Sequence, residues 1–80
     1  MVSVELRISN GTSTEMAFYL EPWGGKYRIQ GHHAVRVVIE APSSPVLEWE
    51  TDDETQRLLV HNPAGALATV YDGDTRVRAE

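Results

Sequence analysis

His32, His33 and His61 are the side chains here best suited to hold a metal ion or to move a proton near neutral pH. Their spacing argues against both. Neighbouring residues of a strand point to opposite faces, so His32 and His33 share an ion only if they stand in a loop. No His-x-His pair accompanies them, and a blue-copper centre lacks its cysteine. The reading is three turn-flanking or exposed histidines, with no metal and no cofactor. Carboxylates gather twice. "EWETDDE" (Glu48–Glu54) packs five acids around one turn, which only solvation makes tolerable. That segment reads as a wet turn, and its sharper reading is a docking spot for a basic partner or a weak calcium site. "DGD" (Asp72–Asp74) lacks the remaining ligands of a calcium loop and reads as a hairpin turn. "NGT" (Asn10–Thr12) matches a glycosylation acceptor, incidental in a chain with no secretion signal in view.

The catalytic inventory is short. The 80 residues include no cysteine nucleophile, no G-x-S-x-G elbow and no phosphate-cradling glycine loop. A domain of this length also has little surface left for a concave pocket of ordinary ligand size. The expectation is a protein that is not an enzyme. Net charge is −5, and the seven basic residues are scattered singly, which opposes nucleic-acid binding. No apolar run is long enough to cross a bilayer as a helix, and "MVSVEL" carries no leader pattern. A cytoplasmic location with no membrane partner is the expectation.

Aromatic residues supply the remaining chemistry. In "EPWGG" (Glu21–Gly25) a tryptophan stands between a proline that presets φ and two glycines that tolerate positive φ. The spacing predicts that Trp23 folds back to plug one end of the fold; the alternative is an exposed binding anchor. Tyr19, Trp23, Tyr27 and Val38 are the candidate binding residues, on an apolar and aromatic sheet face.

The elements that must position them follow from period-two alternation. "VSVELRI" sets Val2, Val4, Leu6 and Ile8 against Ser3, Glu5 and Arg7, and "TEMAFYLE" sets Met16, Phe18 and Leu20 inward. Further strands are predicted at Lys26–Gln30, Ala34–Ala41, Val46–Glu50, Thr55–Asn62, Ala66–Tyr71 and Thr75–Arg78. "APSSP" (Ala41–Pro45) is a loop long enough to carry the chain between sheets. "NPAG" (Asn62–Gly65) fits a β-turn. At "SNGT" a two-residue loop would set Ile8 opposite Ser13. A three-residue loop, Ser9–Asn10–Gly11, instead sets Val4 opposite Met16 and Val2 opposite Phe18, so a first hairpin of that register is predicted. The fold is therefore one all-β domain over residues 1–80, a small antiparallel β-sandwich or partly open barrel of seven to eight short strands. Its core is expected at Val4, Leu6, Met16, Phe18, Leu20, Ile29, Val35, Val37, Ile39, Leu47, Trp49, Leu58 and Val60.

"YLEPWGGKYRI" (Tyr19–Ile29), followed by a valine-rich strand, resembles short uncharacterised bacterial all-β proteins that share an "LEPWG" segment and then Y-x-I/L. The resemblance implies the fold and no activity.

Ala17, Tyr19, Val38 and Val46 fall on the nominal outer face, where a one-layer sheet wants polar residues. In a chain this small, with no disulfide, that pattern predicts self-association as a homodimer or larger. The expected function is a non-catalytic protein-interaction module whose partner is itself, with a second protein as a further partner. The alternative is a small-ligand or carbohydrate binder that uses exposed Trp and Tyr rings.

Overall fold

Eight strands and no helix make up the computed structural model, which describes all 80 residues. They are β1 (Val2–Ser9), β2 (Met16–Glu21), β3 (Gly25–Ile29), β4 (Ala34–Ala41), β5 (Val46–Asp52), β6 (Thr55–His61), β7 (Leu67–Asp72) and β8 (Thr75–Val77). Two four-stranded sheets form, in the orders β1-β4-β7-β8 and β3-β2-β6-β5. The chain is an all-β, sandwich-like domain, as its alternation predicts, and the sheets do not close into a barrel. There is no helix that is long and apolar enough to cross a membrane.

Three tight connections stay within a sheet: β2–β3, β5–β6 and β7–β8. Their turns meet the conformational demand in different ways. Gly73 takes φ 61° at the first central position of the β7–β8 loop, as a type II′ turn needs. The β5–β6 loop has the same need, and Asp53 meets it at φ 52° without being glycine. The four other connections cross between sheets. "APSSP" is one of them, as its two prolines and length suggest.

The first hairpin predicted from "SNGT" does not form. β1 pairs with β4 from Val2↔Ala41 to Ser9↔Ala34, while β2 lies in the other sheet between β3 and β6. Asn10 is the physical reason. It is 2% exposed, and its side-chain amide nitrogen donates to the carbonyls of Thr14 (2.8 Å), Ile29 (3.0 Å) and Gln30 (3.2 Å), sharing its two hydrogens among three acceptors. Its Oδ1 accepts from the Thr12 backbone amide and hydroxyl. The segment that reads as a turn is thus a crossing, tied by one buried amide to the far end of β3. A glycan on Nδ2 would have to displace these bonds and bring Asn10 out of its buried position.

One pairing has no signal in the sequence. β2 and β6 run parallel, through Tyr19↔Arg57, Leu20↔Leu58 and Glu21↔Leu59, which makes the second sheet mixed. Between the sheets lies a core of Ile8, Phe18, Leu20, Ile29, Val35, Val37, Ile39, Leu58, Val60 and Val70. Eight of the residues expected inside are there; Ile8 and Val70 join them. Val4, Leu6, Met16 and Leu47 are only half-buried, and Trp49 is 41% exposed. All five face inward in the register. They miss full burial because they lie on, or next to, the side where the edge strands β1 and β5 leave the two layers open.

Candidate functional site

The two lateral sides of the sandwich differ. On the first, the C-terminal tail returns along β3: the Glu80 amide donates to the Lys26 carbonyl at 2.9 Å, and Ala79 occupies the space a Cβ on Gly25 would need. Arg28 then holds Glu80 at 2.6 Å and Glu15 at 2.7 Å. The hydrogen bond to Glu80 and then that to Glu15 push its guanidinium further into its always-protonated range. That side is laced shut, with a residual cleft of about 230 Å³ between Tyr27 and the β7–β8 side chains.

The second side is open. Leu6, Arg7, Ile8 and Ser9 of β1, Met16 of β2, Trp49 of β5 and Gln56 of β6 line a groove of about 480 Å³. Trp49 is its aromatic lining residue. The ring lies 6.1 Å from Phe18, and Nε1 donates to Gln56 Oε1 at 3.0 Å. The same oxygen accepts from the Thr51 hydroxyl at 2.8 Å, which fixes the amide and with it the indole. The volume falls in the range of about 300–1,000 Å³ usual for ligand clefts, so small size has not denied this chain a concavity. Four of its seven lining residues are apolar, Gln56 adds an inward-facing amide, and Arg7 and Ser9 border it from the outward-facing set of β1; no acid–base pair or activated nucleophile lines it.

The four predicted binding residues do not share a face. Tyr19 points outward on the β2 sheet, with the Lys26 ammonium 5.9 Å from its ring centroid. Val38 points outward on the opposite sheet, beside Glu5 and Thr69. Tyr27 pairs with Phe18 and stacks on it at 5.5 Å, so it faces inward. Trp23 stands on the β2–β3 turn and is 43% exposed. It is not the plug expected from "EPWGG", because the return of Ala79 and Glu80 already closes that side. These four positions cannot form one stacking platform, because the pleat and the sandwich send them in different directions.

The histidines scatter as well. His32 (φ 60°) and His33 occupy the β3–β4 connection, and His61 Nε2 meets Glu48 Oε1 at 2.8 Å on the β5–β6 surface. No group of three or more His, Asp or Glu side chains is assembled to hold a metal. The acidic turn at Asp52–Glu54 is exposed, and Arg57 offsets part of its charge through Glu50 at 3.3 Å and Asp52 at 3.9 Å.

Sequence reasoning missed Arg7, Ser9, Met16 and Gln56 as groove residues, and Asn10 as a buried anchor. Alternation did point Leu6, Met16 and Trp49 inward. It carries no information on which inward residues lie at an uncovered edge. Comparison with protein families, curated proteins and solved structures finds no match for this chain.

Proposed function

We propose that this chain is a non-catalytic protein-interaction module that self-associates, and that it does so through the open side of the sandwich rather than through an outer sheet face. The observation that carries this reading is the row of inward-facing apolar side chains left only partly covered between two free edges: Val4, Leu6, Met16, Leu47 and Trp49. Only 13 of 80 residues are buried, so a partner covering that row adds substantially to a small core. Trp49 is the natural anchor, being large, rigid and held by Gln56. Sedimentation equilibrium across the micromolar range tests the proposal. A mass that rises to that of a dimer is expected, and a clean monomer at tens of micromolar would remove the reading.

The groove volume favours one second reading, a binder of a small, largely apolar ligand resting on Trp49. Trp23 is the other tryptophan. A Trp23→Phe variant therefore isolates Trp49 fluorescence, and a glycan and fragment screen that leaves this emission unchanged counts against a ligand.

A further inference from the structure

Of the four sheet edges, three are guarded. β8 has three residues, β3 is capped by the Glu80 amide, and β5 carries Glu48, Glu50 and Asp52. β1 has eight residues in unbroken register with β4, no proline and no bulge, the form of edge that templates pairing. Resting on the self-association proposed above, we infer that β1 pairs antiparallel with β1 of a second copy about a two-fold axis through Leu6. The two sheets then join into one of eight strands.

Three observations select this register. The first is backbone parity. Asn10 donates its amide to the His33 carbonyl at 2.8 Å, one step beyond the Ser9↔Ala34 pair. In an antiparallel ladder such groups alternate, so the even residues of β1 bond to β4. Ser3, Glu5, Arg7 and Ser9 therefore turn their N–H and C=O groups to the free edge. A second β1 must place its own odd residues opposite these, and any slip by one also sets inward side chains against outward ones.

The second is charge. Among the permitted registers, an axis at Glu5 opposes two glutamates, and an axis at Arg7 opposes two arginines. An axis at Leu6 sets Glu5 opposite the partner's Arg7 and Arg7 opposite the partner's Glu5. Ser3 then faces the partner's Ser9, and Val4 faces the partner's Ile8.

The third is an unresolved repulsion within the chain. Arg7 is paired across the ladder with Arg36, a like-charge neighbour. Arg36 has Glu5 at 2.7 Å and the Tyr71 ring at 5.0 Å, whereas Arg7 has no carboxylate within salt-bridge distance. The partner's Glu5 supplies it. Pairing two copies of β1 also closes after two chains, whereas β1 against β5 of another copy would run on as an open filament.

Charge reversal tests the register. Glu5→Arg alone and Arg7→Glu alone each turn both cross-axis contacts repulsive, and each is expected to raise the dimer dissociation constant about tenfold. The double variant Glu5→Arg/Arg7→Glu restores both contacts and should recover the dimer. An equimolar mixture of the two single variants should form a heterodimer. A second measurement does not depend on charge. The chain has no cysteine, and Leu6→Cys places two sulfurs at a non-hydrogen-bonded pair, where Cα atoms lie about 4.5 Å apart, within the disulfide range. Oxidised glutathione should therefore link Leu6→Cys chains as dimers. Preferential self-linking of Glu5→Cys or of Arg7→Cys, or dimers insensitive to both charge reversals, would overturn the register while leaving self-association standing. Oligomers that ladder beyond a dimer would overturn it too, and a wild-type monomer removes both proposals.

Discussion

Asn10 shows how much one side chain can decide. Its amide serves five partners from a position 2% exposed, and each of them belongs to the crossing or to the end of β3. Removing a partner from buried carbonyls costs more than forming the bond gained, because the orphaned groups cannot return to water. Asn10→Ala should cost about 2–3 kcal/mol in urea unfolding, with the m-value unchanged. The neighbouring constraint is steric. A Cβ on Gly31 would overlap the Ser13 backbone carbonyl, while the His32 amide bonds to Thr12 next to it. Gly31→Ala should therefore lose about 1–3 kcal/mol by forcing two backbones apart, although φ at Gly31 is one any residue adopts. Both effects are read by thermal or urea melts followed at a β-sheet circular-dichroism band. Asparagine before glycine is the commonest hairpin signal, and here it misleads because a side-chain amide can satisfy a crossing as well as a turn.

At the scale of elements, edge and centre separate residues that alternation treats alike. Phe18 and Trp49 both face inward; Phe18 is fully buried in a central strand, and Trp49 is 41% exposed on an edge. Turn chemistry is more local, and it is where an improvement should lie. Asp53 sits at φ 52° among carboxylates, so Asp53→Gly relieves left-handed strain and removes one of several crowded charges. A gain of up to about 1 kcal/mol is expected, seen as a higher urea midpoint. A loss of stability would mean that the aspartate side chain supports the turn.

The whole molecule is a two-layer sandwich measuring 37 × 30 × 20 Å, laced on one side and open on the other. Tail, β3 and the Glu15–Arg28–Glu80 cluster shut the first side; the groove beside Trp49 marks the second. If the open side is where two copies meet, Trp49→Ser should raise the dissociation constant about tenfold or more, and Tyr19→Ser and Val38→Ser should leave it unchanged. Sedimentation velocity on the three variants checks this. Equal weakening by Tyr19→Ser would return the interface to an outer face.

Sequence by itself determined the all-β class, seven to eight short strands, the inward sets of β1, β2, β4 and β5 and the positions of the β5–β6 and β7–β8 turns. These follow from rules that act over a few residues: side chains alternate with period two, and tight turns need particular φ values. Strand partners were left to the tertiary structure. β1 chose β4, β2 took a parallel neighbour in β6, Asn10 became a crossing, and Trp23 and Trp49 reached solvent. Each depends on contacts between residues far apart in the chain, which alternation describes only as in or out. Which edge lies open, and therefore where a second chain can bind, is settled when the layers stack.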